Sequence, residues 1–179
     1  QGTGKKYDFK YITTDIEEIF KNIEINSVFI TTRHNDHANK VLKAIESKKH
    51  CFVEKPLCIY EEELEAIKEA YTGETLVQVG FNRRFSPMIE KMKKFISGQI
   101  SVNYRVNAEK IKKNVWIQDR TIGGGRIIGE VCHFIDTCSY LIGSEVKSVF
   151  ATTVQKSDHS IPDEDNVNIV LNYANGSTA

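Results

Sequence analysis

Apolar residues recur along the first half of the chain with two alternating periods. Residues 13–15 (TTD) followed by Glu17 and Glu18 predict a helix start, because acids near a helix N-terminus meet the positive end of its dipole. The isoleucines and Phe20 supply that helix's buried face. Residues 27–31 (SVFIT) form a short β-branched run and predict a strand. Over residues 36–48 (DHANKVLKAIESK), Ala38, Val41, Leu42 and Ile45 fall at helical spacing with lysines outside. Residues 50–54 predict a second strand, 60–71 (YEEELEAIKEAY) a helix, and 76–79 (LVQV) a third strand running into Gly80.

The strands of this half are continuous apolar runs, the pattern of a parallel sheet covered by helices on both faces. The expected fold class is therefore α/β, with a partial Rossmann-type parallel sheet over residues 1–82. Such sheets bind ligands beyond the carboxyl ends of their strands. Here those ends read TTRH (31–34), EKP (54–56) and GFNRR (80–84), all polar after apolar strand bodies.

Residues 83–179 follow a different pattern. A helix is predicted over 87–97, and SVNYRVNA (101–108) alternates like a half-exposed strand. Three glycines (123–125) precede a helical stretch to about Ile142, and 146–155 and 166–173 alternate again. Alternation implies a sheet with one wet face, so an α+β domain with a mixed or antiparallel sheet is expected.

Charge narrows the partners. Lys plus Arg and Asp plus Glu number 24 each. A net charge of zero gives no one-signed field for nucleic acid or a membrane surface. No apolar run approaches the ~20 residues of a membrane span. Cys51, Cys58, Cys132 and Cys138 form no CxxC pair and read as reduced thiols, so the expected location is cytoplasmic. His34 and His37 lack the further ligands that would complete a metal set, and no metal is expected.

Two stretches carry candidate chemistry. Lys55, at a strand tip shielded by Pro56, is placed to donate to a substrate oxygen, with Glu54 beside it to hold an ammonium or a hydroxyl. The alternative is a solvated loop with a chance Glu-Lys pair. In GGGRIIGEVCHFID (123–136), Glu130, His133 and Asp136 are spaced three apart and share a helix face. An imidazole between carboxylates suits a general base; a packed helix with a polar stripe is the plainer reading.

In this order and spacing, TTRHNDH, HCFVEKPL, VGFNRRF and GGGRIIGEVCHFID resemble the Gfo/Idh/MocA family of nicotinamide-dependent oxidoreductases. The resemblance spans residues ~10 to 179. It implies hydride transfer between NAD or NADP and a sugar, polyol or related hydroxyl compound. Lys55 and His133 would then be catalytic, with Asp136, Glu130 and Arg83 toward the substrate. Thr31, Thr32, Arg33, His34, His37, Glu54, Lys55, Pro56 and Asn82 would line the cofactor. It also implies a homo-oligomer formed through the second-domain sheet. A non-catalytic, ligand-sensing relative on the same fold is the alternative.

Two departures stand out. Many family members carry an aspartate four residues before the histidine, where this chain has Gly129. The family's opening strand and Gly-x-Gly-x-x-Gly turn are not in this sequence either. The chain is therefore expected to be a fragment that binds NAD(H) or NADP(H) poorly by itself.

Overall fold

The computed structural model describes residues 2–109, 111–112, 114–153 and 166–179. A short helix α1 (Gly2–Lys6) opens the chain and α2 (Ile16–Lys21) follows. The Asp15 side chain accepts the Glu17 N–H and caps α2. Next come β1 (Ser27–Ile30), α3 (His37–Glu46), β2 (His50–Val53), α4 (Glu61–Ala70) and β3 (Val77–Val79). The buried Lys49 ammonium donates to the carbonyls of Asn22 and Ile25, so a cation sits at the negative end of α2.

The strands form one parallel sheet in the order β1-β2-β3. Val28 lies beside Cys51 and Cys51 beside Val77; Ile30 lies beside Val53 and Val53 beside Val79. The strands thus end level, and their polar tips share one edge. One face of the sheet packs on α3 through Val28, Ile30, Cys51 and Val53, with Ala38, Val41, Ala44, Phe20 and Ile67 completing the core.

The apolar strands predict helices on both faces and a fragment predicts lost cover; among the described residues the core cluster lies on one face. On the opposite face Phe29 is 76% exposed, with the Phe52 ring 5.5 Å away. An apolar strand sets a demand for cover without supplying the element that meets it.

After β3 the chain makes a 3₁₀ turn (Asn82–Phe85) and α5 (Pro87–Lys93). The strand expected at 101–108 does not form: Ser101 bridges Thr178, and residues 102–109 have no strand assignment. Alternation favours an extended chain, but a strand also needs a neighbour along its length, and Val102 bonding Thr178 is the last such contact. A π-helical turn (Ile127–Val131) runs into α6 (Cys132–Ile142), followed by β4 (Val146–Thr153) and β5 (Val167–Tyr173). Residues 154–155 of the expected strand 146–155 lie outside the described residues.

β4 and β5 pair antiparallel, with Val149 opposite Leu171. β5 turns Leu171 and Tyr173 toward Ile142 of α6 in a second core, as alternation predicts. β4 departs from the one-wet-face pattern: it is exposed along its whole length, Phe150 by 65%.

Candidate active site

The level strand ends bring 31–34, 54–56 and 80–84 to one edge, and α6 with its π-turn packs over them. Lys55 connects the two halves. Its ammonium donates to the Gly129 carbonyl at 2.6 Å and to the Glu130 carboxylate at 2.9 Å. The Lys55–Pro56 peptide is cis. Gly129 lies in the π-turn, a helical irregularity that recurs at functional sites. A Cβ at Gly129 would meet His34 Cε1 at 3.1 Å, so glycine allows the turn to lie against that ring.

His133 is buried at the start of α6, with the Phe81 ring edge-on at 6.1 Å. Its Nδ1 has no hydrogen-bond partner among the described residues. The spacing reading placed carboxylates on either side of this imidazole. In the structure both carboxylates act on the charge of the imidazole, and each also has a cationic partner: Glu130 pairs with Lys55, and Asp136 with Arg84. Arg84 grips Asp136 with Nε on Oδ2 at 3.0 Å and Nη2 on Oδ1, a bidentate pair in which the Asp136 side chain is only 8% exposed. Asp136 is thus tied to the tip of β3.

His34 and His37 were expected at the cofactor surface. Both rings are buried instead. His34 Nδ1 lies 2.7 Å from the Gly123 carbonyl, and the Trp116 ring meets it edge-on at 4.8 Å. His37 contacts the carbonyls of Pro56 and Thr32 through its two ring nitrogens. The 3₁₀ turn His34–Asp36 produces this inversion, since it points Arg33 out over Trp116 and turns the next residue inward. Thr31, Thr32, Arg33 and Asn82 are exposed at the tips, Glu54 is half-buried and Pro56 is buried. Motif spacing missed Arg84's role as the clamp on Asp136, and it missed Trp116; a lone tryptophan just before a triple glycine was the available signal.

On the second-domain side of α6 lies an open cavity of about 810 Å³ bounded by Arg83, Asn103, Tyr104, Glu130 and Phe134, among others. The Tyr104 and Phe134 rings stack at 5.2 Å, and the Arg83 guanidinium lies 4.9 Å above Phe134. The cavity wall is part apolar and part polar, with Tyr104 and Phe134 as its aromatic residues, which suits a ligand with both apolar faces and polar edges.

Burial, followed by the nearby charges of Lys55 and Arg83, pushes the His133 pKa below its ordinary value. Burial also lowers His34, with His37 and Lys55 acting the same way against the Gly123 carbonyl. Both groups then bind protons less readily folded than unfolded. These two groups therefore make stability rise as pH rises through about 6.5, and their slope fades about one unit above it. Urea unfolding at about pH 5.5 and 7.5 checks the sign, and greater stability at the acid end from these groups would contradict it.

With this geometry in view, known proteins provide the comparison. A family model described as "Oxidoreductase family, NAD-binding Rossmann fold" matches residues 3–81, and one described as "GFO/IDH/MocA C-terminal domain" matches residues 95–179. The chain belongs to the Gfo/Idh/MocA family. A Bacillus subtilis protein named uncharacterized oxidoreductase YrbE is 31% identical over 97% of this chain and 52% of its own length. Myo-inositol 2-dehydrogenase of Thermotoga maritima is 27% identical over 91% of this chain and 51% of its own length. A levoglucosan dehydrogenase solved with NADH and levoglucosan superposes with a TM-score of 0.82 at 26% identity, covering 99% of this chain and 52% of that one. The chain thus spans about half the length of the curated relatives it matches.

For a Gfo/Idh/MocA chain, the donor set at the strand tips is the relevant test of a dinucleotide. The exposed Thr31, Thr32 and Asn82 and the half-buried Glu54 are polar groups at the strand tips that would suit such a cofactor.

Proposed function

We propose that the whole protein is an NAD(P)-dependent oxidoreductase that moves a hydride between the nicotinamide and a hydroxyl-bearing carbon of a sugar or polyol. The observation that carries this reading is the anchoring of Lys55 on Gly129 and Glu130, in the π-turn that leads directly into the His133 helix, so that the Lys55 charge acts on His133. One is an ammonium fixed at a strand tip, the other a buried imidazole with an open nitrogen, and they come from the two halves of the chain.

In this mechanism the imidazole of His133 takes the hydroxyl proton, and its lowered pKa keeps it in the accepting form near neutral pH. Lys55 donates a hydrogen bond to the same oxygen and stabilises the charge that grows there. Glu130 holds the Lys55 ammonium in place from the π-turn. Asp136, braced by Arg84, keeps the His133 helix docked on the strand tips, and Arg83 and Glu130 border the cavity that takes the rest of the substrate. Thr31, Thr32, Glu54 and Asn82 would hold the cofactor, which supplies the hydride acceptor when bound. Residues 1–82 and 83–179 act in this reading as nucleotide and substrate domains. The exposed β4, with Val149 and Phe150, supports a homo-oligomer through that sheet.

The test is turnover by the whole protein with NAD or NADP across a polyol and sugar panel, followed through reduced-nicotinamide absorbance. Cofactor reduction by a polyol supports the reading. A whole protein that binds neither dinucleotide would end it. This 179-residue chain by itself is expected to bind NADH with a dissociation constant weaker than about 1 mM, because its sequence holds no Gly-x-Gly-x-x-Gly turn to seat the pyrophosphate. Calorimetric titration checks that expectation.

A further inference from the structure

We propose that His37 is the positioning residue of the Lys55 turn: its imidazole ties the carbonyl that follows Lys55 to the tip of β1, and so sets where the Lys55 ammonium lies. The inference rests on the role given to Lys55 above. It assigns His37 a task distinct from contact with a cofactor.

His37 is 0% exposed and opens α3. Its Nδ1 lies 2.6 Å from the Pro56 carbonyl and its Nε2 lies 3.1 Å from the Thr32 carbonyl. Both partners are carbonyl oxygens, which accept and never donate, so the nitrogen that carries the ring N–H is the donor: Nδ1, at the shorter distance, donates to Pro56, and Nε2 lies in contact with the Thr32 carbonyl. The bridge spans the tips of β1 and β2, which the β-ladder itself leaves behind at Ile30 and Val53.

The turn has few other fixed points. The Glu54 N–H still bonds the Ile30 carbonyl. Pro56 carries no N–H to offer. The next anchored donor is the Ile59 N–H, held by the Glu63 carboxylate at 2.9 Å. Between them the turn is held by His37 on Pro56 and by the Lys55 ammonium on Gly129 and Glu130. The second anchor is the functional contact itself; Leu57 and Cys58 pack on the core, and His37 is the polar support next to Lys55 that is independent of that contact. The ring is enclosed by the start of α3 and the two strand tips, and the His34 ring lies 5.7 Å from it.

The experiment is NMR titration of His133 in the full chain carrying His37→Phe, which keeps a ring in the buried space and removes the hydrogen bond to Pro56. Lys55 is one of the charges that hold the His133 pKa down. If His37 places Lys55, the His133 midpoint rises toward that of an ordinary histidine in H37F. It stays unmoved in Val41→Ala, which loosens the same core without touching the turn. A folded H37F with the wild-type midpoint overturns the proposal.

Should H37F fail to fold, the wild-type chain still decides. A His37 ring N–H protected from solvent exchange is expected, and a freely exchanging ring refutes the bridge. In the whole protein, H37F should lower kcat by about 10²-fold, the loss expected for a catalytic group misplaced by ~1 Å. The midpoint needs no turnover. An inactive whole protein whose midpoint shifts in H37F refutes the oxidoreductase reading alone, and an active one whose midpoint stays put refutes this role for His37.

Discussion

Replacing Lys55 with methionine is expected to lower kcat of the whole protein by about 10²–10⁴-fold, the range that one proton-handling group contributes. Methionine keeps most of the aliphatic stem and its packing but removes the ammonium. Gly129 then loses the donor at its carbonyl, and Glu130 loses its ion-pair partner. The fold should survive. Glu130 is 35% exposed, so water can solvate the stranded carboxylate, and the stability loss should be about 1 kcal/mol.

The same substitution has a signature in pH. The Lys55 charge lowers the His133 pKa, so removing it should move the acid limb of kcat/KM to higher pH. Steady-state kinetics across pH tests both parts. A K55M rate within about tenfold of wild type would take Lys55 out of the chemistry.

Gly123→Ala is expected to destabilise the chain by about 3 kcal/mol or more, at the upper end of what overpacking costs. A Cβ there would lie 2.4 Å from the Ile117 carbonyl oxygen and 2.5 Å from its Cα. Those are backbone atoms and have no rotamer to escape into. Neither side yields easily, because the Gly123 N–H is held by the Asp119 carbonyl at 2.7 Å and its own carbonyl by His34 at 2.7 Å. The Asn35 N–H on the Ile122 carbonyl pins the same turn to the tip of β1. Urea denaturation gives the number. Gly2→Ala, whose Cβ would meet nothing within 4 Å, should stay within about 0.5 kcal/mol of wild type.

Much of the nucleotide half was legible in the sequence. Three glutamates at 61–63 and the spacing of Ala66 and Ile67 mark α4, and β-branched runs mark the strands, because these signals act within one element. The polar tips were legible for the same reason. The inward turn of His34 was not, since the 3₁₀ turn that inverts it looks like any short polar loop. Nor was the partner of Glu130: Lys55 lies 75 positions away, and spacing within one helix is silent on it.

The sequence by itself determined which chemistry is present: a lysine locked before a proline at a strand end, a histidine following a triple glycine, and parallel strands whose polar tips must share an edge. Tertiary structure alone decided which groups meet. Lys55 reaches Gly129 across 74 positions, His34 reaches Gly123 across 89, and Arg84 takes Asp136 across 52. Periodicity reports which side of an element is apolar and is silent on how two elements dock. Pairing at that range depends on the packing of α6 against the strand tips, which the residues of neither element specify alone.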